Sequence, residues 1–549
     1  MPWHRFLPFL AWPRPTRDLL KSEALAGLTV GLMVIPQGVA YAALAGMPLQ
    51  TGLYASMLPA LVAVLFSSSV RLSVGPTALS CLLVSASLAG LAPPGSAEWV
   101  TLAVWLSILA GLTQVVLGWV RFGWLLNLVN APVLMAFTQA AAVLIILSQY
   151  KSLLGWPLWG QSTHIEALAY GLLSLALLWW SRRIKPTFPA VLVLVLVSAG
   201  VSHYTGYAER GGPVVGSLPS GVPLLMWPGA VEWQTLQALF VPAVVITLVS
   251  FLETASSAKV DNAGQGTRWN QNQDLIGQGL AKITSGLVGA FPTSSSFSRS
   301  ALNLYAGAQT GWATVFSVAV VWLASMYGLP VLYHVPQGVL AAIVVVAVLG
   351  LIKPAQFVRL WRVTRVEAVI AAVTFAATLL SAPKMYWGVL TGVLIALAHF
   401  LYQRLHPRII EVGQHPDGRL RDRHLWSLPP IAPDTFALRM DAELDFGSAN
   451  ALEQKILEHV AAYPKVRHVA LFAQPINRID ATGIEVFERI ALQMAAQDRQ
   501  LIVVGAKLPV ERTLKAAGVF DRATALLVFV RDEEALAYLR EMETRAIQS

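Results

Sequence analysis

The chain reads as an all-α polytopic membrane domain of about fourteen segments in two inverted seven-segment repeats, followed by a small cytoplasmic α/β domain. Three observations predict this. Of 549 residues, 56% are hydrophobic and only 13% charged, against about 25% charged in soluble domains. The charges are also segregated: 24–400 is nearly bare, while the stretch after about 404 is rich in Arg, Asp and Glu. Finally, two polar, proline-bearing breaks stand at matching places in the apolar part. The expected organisation is an N-terminal cytoplasmic segment at 1–22, a transmembrane domain at 23–403, a linker at 404–433 and the α/β domain at 434–549.

Runs of roughly twenty apolar residues suffice to span a bilayer. They fall at about 24–44, 53–70, 99–120, 130–150, 165–181, 187–203, 235–257, 311–328, 335–352, 367–383 and 386–403. Two more, about 76–91 and 293–306, are short and polar at their starts, and 275–290 is weak, Gly-rich and carries Lys282. Lys282 is expected near the cytoplasmic end of its span and receives no role. An even count puts both termini on one side. Before the first span, Trp3, Phe6, Phe9 and Trp12 are broken by Pro2, Pro8, Pro13 and Pro15. That pattern suits a membrane-surface segment and not a signal peptide.

Loop charges set the orientation. With a cytoplasmic N-terminus, the inside loops hold Arg71, Arg121, Arg182, Arg183, Lys185, Lys259, Arg268, Lys353, Arg359, Arg362 and Arg365. The outside loops hold Lys151, Arg210 and Lys384. Both termini are therefore expected in the cytoplasm, with the chain a multi-pass protein of the inner (plasma) membrane.

The repeat shows in two pairs of segments. Ser73-Val-Gly-Pro-Thr-Ala-Leu-Ser80 and Phe291-Pro-Thr-Ser-Ser-Ser296 each place a proline and hydroxyls before a short apolar helix. Asn130-Ala-Pro-Val133 and His334-Val-Pro-Gln337 match in the same way, two segments on. An odd repeat of seven inverts the second half, and paired interrupted segments in inverted halves point to a transporter's binding site. Pro292 suits a helix start, and a helix beginning inside the bilayer presents free N–H groups and a positive dipole end to an anion. A polar loop between two spans is the competing reading of 291–302.

Few ionisable groups lie near these breaks. Glu253, in Val249-Ser-Phe-Leu-Glu-Thr-Ala-Ser-Ser257, is costly in an apolar span and hence a functional candidate. Taking a carboxyl out of water favours its neutral form, so Glu253 is a candidate proton carrier; a structural hydrogen bond to a neighbouring helix is the alternative. Arg299, expected about two turns into the short helix, either balances an anion, pairs with Glu253, or snorkels at a helix end. In Ile35-Pro-Gln-Gly-Val-Ala-Tyr41, Pro36 breaks the helical ladder. Gln37 and Tyr41, one turn apart, can face one cavity, although a Gln in a span also serves as helix–helix glue.

The tail alternates strands at Phe436–Met440, 466–472, 501–504 and 525–530 with helices at 447–462, 483–497, 509–517 and 532–543, a small α/β layer. Several classes are excluded. The net charge of +9 comes without a basic stripe interleaved with aromatics, so nucleic acid is not the partner. One cysteine, Cys81, allows no intrachain disulfide and no Cys-based metal site. There is no Walker A string and no His/Cys cluster with ligand spacing, so no enzyme or cofactor is expected. His334, His399 and His406 sit singly near span ends.

Gly31-Leu-Met-Val-Ile-Pro-Gln-Gly-Val-Ala-Tyr-Ala-Ala-Leu-Ala-Gly46, Thr51-Gly-Leu-Tyr54 and Ser73-Val-Gly-Pro76 resemble the signature region of the sulfate permease (SulP) family of anion transporters. Glu253-Thr-Ala, Asn272-Gln-Asp-Leu-Ile-Gly277 and Ser296-Phe-Ser-Arg-Ser-Ala-Leu-Asn303 resemble its second-half motifs, and Ile479-Asp-Ala-Thr-Gly-Ile-Glu-Val486 is similar to a STAS domain. The resemblance implies a core and a gate domain, with the anion between two opposed half-helix starts. By matching position, Gln37, Tyr41, Gly75, Pro76, Thr77, Ala78, Ser295, Ser296, Phe297, Ser298 and Arg299 would line the site, and Glu253 would couple the proton. Related STAS domains carry a phosphorylatable Ser where this chain has Thr482; a helix-start Thr is usually a cap, which argues against phosphoregulation here. The resemblance also implies a homodimer.

The pattern of Gln37 and Glu253 is similar to that of proton-coupled sulfate carriers. The expectation is a secondary active transporter that takes up sulfate with a proton by an elevator-like movement of core against gate. A sodium-coupled bicarbonate carrier, another anion or dicarboxylate transporter, or an anion exchanger is the first alternative. A STAS-bearing membrane sensor or scaffold is the second.

Overall fold

A computed structural model describes residues 7–124, 130–155, 164–184, 189–219, 221, 223–265, 269–523 and 525–548. Lys185, Arg268, the side chain of Arg182 and the start of the span expected at 187–203 lie outside the described residues. The chain divides into two compact units, Met1–Ala396 and Leu397–Ser549.

The first unit is helical. Thr16 caps α1 (Arg17–Leu44), its hydroxyl accepting the Leu19 N–H at 3.3 Å, and the helix runs on through Pro36 where a break was expected. The next span is split into α2 (Thr51–Tyr54) and α3 (Leu58–Phe66), with a proline in the first turn of α3. Then come a two-residue strand β1 (Val74–Gly75), short α4 (Ala78–Leu88), and the long α5 (Ala97–Trp119) and α6 (Ala131–Leu153), capped by Ser96 and Asn130. Helices α7 (His164–Ile184) and α8 (Ala190–Tyr204) expose large apolar side chains such as Leu173, Trp180 and Val197, as contact with lipid requires.

The second half follows with α9 (Trp233–Gln265), α10 (Gln271–Leu287), strand β2 (Ser294–Ser295), short α11 (Phe297–Tyr305) and α12 (Trp312–Leu323). A π-helical turn, Ala324–Gly328, joins α12 to α13 (Leu329–Tyr333); α14 (Gln337–Leu349), α15 (Pro354–Val363), α16 (Arg365–Leu380) and α17 (Tyr386–Leu405) complete the series. Among the described residues, seven helical stretches are long and apolar enough to cross a membrane. Four shorter apolar helices, Thr51–Phe66, Ala78–Leu88, Ile165–Ser181 and Ala190–Tyr204, accompany them.

Close backbone packing fixes α10 against α5. A Cβ on Gly111 would lie 2.6 Å from the Gly279 carbonyl oxygen, and one on Gly279 would lie 2.7 Å from that of Gly111, so only glycine admits this approach. Buried carboxylates close two further junctions. Glu23 Oε1 accepts the N–H groups of Gln309 and Thr310 at 2.8 and 2.7 Å, and Oε2 that of Ala313 at 2.9 Å, satisfying the orphan donors at the start of α12. Asp274 accepts from Ser68, Ser69 and the Trp269 indole, which ties the turn after α3 to α10.

The second unit is built on a six-stranded sheet of order β4-β3-β5-β6-β7-β8. Strands β5 (Thr435–Met440), β6 (His468–Phe472), β7 (Gln500–Val504) and β8 (Leu526–Phe529) run parallel. The stretch read as a linker also contributes structure: β3 (Ile409–Gln414) pairs antiparallel with β5 and with β4 (Leu420–Asp422). Side chains alternate between the faces. Phe436, Leu438, Val469, Leu471, Leu501 and Val503 pack with α18 (Ala449–Ala462) and α19 (Ala481–Ala496). Ala437, Ala470, Phe472, Ile502 and Val504 meet Leu536 and Leu539 of the last helix, Asp532–Gln548.

Candidate functional site

The two polar breaks meet in space. Strands β1 and β2 form an antiparallel ladder, Val74 opposite Ser295 and Gly75 opposite Ser294. Just outside it, the Ser296 N–H donates to the Ser73 carbonyl at 3.0 Å. A helix begins beyond each strand. Thr77 caps α4, its hydroxyl accepting the Ser80 N–H at 3.3 Å, and Ser296 caps α11, accepting the Arg299 N–H at 3.4 Å. The ladder thus holds two helix N-termini side by side, each with first-turn amides that have no intrahelical acceptor.

This differs from the expected local structure. Pro292 does not open the helix: Ser294 and Ser295 are strand, and α11 starts only at Phe297. Arg299 accordingly lies in the first turn of α11 and not two turns in.

From there Arg299 crosses the ladder. Its side chain is 1% exposed. Nε donates to Ser73 Oγ at 3.3 Å, and one terminal nitrogen donates to the Pro76 carbonyl at 2.8 Å and to Gln37 Oε1 at 3.5 Å. The other terminal nitrogen has no hydrogen-bond partner among the described residues. A Cβ on Gly75 would stand 3.3 Å from it, so glycine leaves room for the guanidinium. Guanidinium donors in this fork suit an oxyanion.

Glu253 reaches the same place from α9. Thr77 Oγ1 donates to its Oε2 at 3.1 Å. Ser294 Oγ donates to the Ser250 carbonyl at 3.2 Å, one turn before Glu253. Ser295 is buried and its Oγ accepts from Gln278 Nε2 at 3.2 Å. Gln37 and Tyr41 of α1 are buried, and Gln37 accepts from Arg299. Gly75, Pro76, Thr77 and Ala78 are buried along the ladder and the first turn of α4. Ser296 is partly buried, its hydroxyl 3.3 Å from that of Ser298, while Phe297 and Ser298 are exposed. The sequence-predicted residues therefore converge on one ladder, with Phe297 and Ser298 on its open side.

Four contributors were not singled out in sequence. Ser73 and Ser294 lay inside the quoted breaks, but nothing local distinguished them from their neighbours. Gln278 and Lys282 lay in the weak, Gly-rich span. Lys282 is fully buried, its Nζ donating to Gln114 Oε1 of α5 at 2.7 Å, and is not a residue at a span end. In the tail, Asp480 caps α19 by accepting the Gly483 N–H at 2.8 Å, so Thr482 is not the cap.

Residues 20–374 match the sulfate permease family, and residues 429–533 match the STAS domain. Among proteins of similar sequence, sulfate transporter 4.1, chloroplastic, of Arabidopsis thaliana is 28% identical over 96% of this chain and 82% of its own length. A probable sulfate transporter of Mycobacterium tuberculosis is 30% identical over 92% of this chain and 93% of its own length. Among solved structures, the murine Slc26a9 anion transporter in the inward-facing state superposes with a TM-score of 0.86 at 20% identity, covering 98% of this chain and 94% of its own. The transmembrane domain of a cyanobacterium bicarbonate transporter, BicA, superposes with a TM-score of 0.59 at 18% identity, over 70% of this chain and 99% of its own. The fold is thus a helical membrane domain like that of Slc26a9 with a C-terminal STAS domain.

Proposed function

The chain belongs to the sulfate permease family, a family of multi-pass membrane anion transporters and not of enzymes, and we propose that it takes up sulfate together with a proton. The observation that carries this is the β1–β2 ladder, which sets two helix N-termini, the Arg299 guanidinium and the Glu253 carboxyl around one spot. Helix N-termini and a guanidinium attract an oxyanion. A carboxyl hydrogen-bonded to the cap of one of those helices, through Thr77, is placed to exchange a proton as the anion binds. Relatives described as sulfate transporters favour sulfate over bicarbonate, dicarboxylates or chloride as the cargo.

In this reading Gln37, Tyr41, Gly75 to Ala78 and Ser295 to Arg299 line the anion site and Glu253 is the coupling group. The unit up to about 403 is a membrane domain of fourteen segments in two inverted repeats, with α11 the counterpart of α4. The tail from about 434 is the STAS domain. A core carrying the ladder moves against a gate in an elevator-like step, both termini are cytoplasmic, and the protein is a homodimer. The pairing of two half-length helix starts across an antiparallel ladder supports the inverted repeat.

The test is uptake of labelled sulfate and bicarbonate into proteoliposomes, with and without an inward proton gradient. Sulfate uptake is expected to rise with the gradient and to lose that dependence in Glu253→Gln. Uptake indifferent to pH in the wild type would sink the coupling. Ser298→Tyr, on the open side of the ladder, is expected to block transport without unfolding the protein; normal transport would put the anion elsewhere.

A further inference from the structure

Helix α10 carries a further charged residue, Lys282, into the interior of the membrane-spanning unit. Lys282 is fully buried, where lysine is rarely found without a carboxylate partner. The one hydrogen-bond partner of its Nζ among the described residues is Gln114 Oε1. The Lys282 carbonyl accepts from Ser107 Oγ at 2.7 Å, so α5 grips it twice. Gln114 is buried too, and its Nε2 has no partner among the described residues. This arrangement fixes the Lys282 amine in place through an uncharged amide, with no carboxylate hydrogen-bonded to it among the described residues.

Two acidic groups of this region are engaged elsewhere among the described residues. Asp261 of α9 pairs with Arg71, and Asp274 is enclosed by Ser68, Ser69 and Trp269. Glu253 and α10 meet at the same ladder, Glu253 through Thr77 and α10 through Gln278 and Ser295. The route to the ladder is short. Gln278 precedes Lys282 by one turn on the same helix face, and Gln278 donates to Ser295 Oγ. Lys282 therefore stands about 6 Å along α10 from a ladder contact.

Counting formal charges gives this position a meaning. With Glu253 ionised, the trio of Arg299, Lys282 and Glu253 carries one net positive charge. Once Glu253 takes a proton the trio carries two, which matches a divalent oxyanion. Without Lys282 the remaining pair, with Glu253 protonated, carries one, which matches a monovalent anion. Unbalanced charge in a membrane interior is expensive.

We propose that Lys282 is a specificity-determining residue: its ammonium, fixed by Gln114, supplies the second positive charge that makes the site prefer a divalent oxyanion over a monovalent one. This rests on the anion-transport reading above. The test compares labelled sulfate and labelled nitrate uptake, side by side, in proteoliposomes of the full chain. Lys282→Met is expected to lower the sulfate-to-nitrate ratio by about tenfold or more, because the field of a buried charge is weakly screened. Gln114→Glu keeps the lysine but sets a carboxylate against its Nζ, and is expected to lower the ratio in the same direction; it decides the matter if Lys282→Met fails to fold. A merely structural role would depress both anions alike and leave the ratio unchanged. Wild-type sulfate uptake with an unchanged ratio in the variants overturns this assignment alone, whereas a wild-type chain that moves neither anion overturns the transport reading and this assignment with it.

Discussion

At the scale of single residues, Arg299 does more than present a charge. Its guanidinium joins both breaks and α1, through Ser73 Oγ, the Pro76 carbonyl and Gln37 Oε1. A lysine keeps the charge but has one nitrogen on a flexible stem and cannot span these acceptors as a fork. Losing two charge-assisted hydrogen bonds at about 1.5 kcal/mol each corresponds to about a hundredfold in rate. Arg299→Lys is therefore expected to cut sulfate uptake by about that factor, measured as initial rates at equal protein density. A fall of less than about threefold would mean that charge suffices and the fork does not matter. Much of this site was legible in the sequence, because a carboxyl and a guanidinium in apolar surroundings are conspicuous. The turn that Arg299 occupies was not. Ser and Thr suit strand, cap and helix start alike, so Thr293 to Ser296 gave no sign that a strand precedes the helix. Lys282 was missed for a different reason: its partner Gln114 is 168 positions away, and burial between two helices has no local signature.

At the scale of elements, end chemistry decides where helices begin. Asp480 serves two donors, the Gly483 N–H at 2.8 Å and the Phe446 N–H at 3.0 Å, and so ties the start of α19 to the turn before α18. Thr482 lies inside the first turn and its hydroxyl caps nothing among the described residues. Asp480→Ala is expected to destabilise the STAS unit by about 1–2 kcal/mol, read as a lowered unfolding midpoint of the tail in the full chain. Thr482→Ala is expected to leave that midpoint within about 0.5 kcal/mol. The opposite order of effects would return the capping role to Thr482. The sequence pattern located β5 to β8 and the helices between them because alternation and turn residues repeat there. It concealed β3 and β4, since Pro407, Pro416, Pro429 and Pro430 punctuate that stretch and proline argues against strand. The structure reconciles the two: β3 fits between Pro407 and Pro416, and β4 between Pro416 and Pro429.

At the scale of the whole molecule, the property to test is sidedness, because the loop charges give an expected orientation. Loop charge predicts Lys151 outside and Arg365 inside. Lys151 lies in the last turn of α6 and Arg365 opens α16, and both are exposed. The chain also comes prepared for the experiment. Its one cysteine, Cys81, is fully buried in α4 and should stay silent to an aqueous thiol reagent, so single cysteines can be introduced without removing it. Lys151→Cys is expected to react with a membrane-impermeant maleimide in intact cells. Arg365→Cys, and Asp498→Cys in the exposed turn before β7, are expected to react only after permeabilisation. The wild-type chain supplies the background in both conditions. If Arg365→Cys reacts in intact cells while Lys151→Cys does not, the membrane domain is inverted.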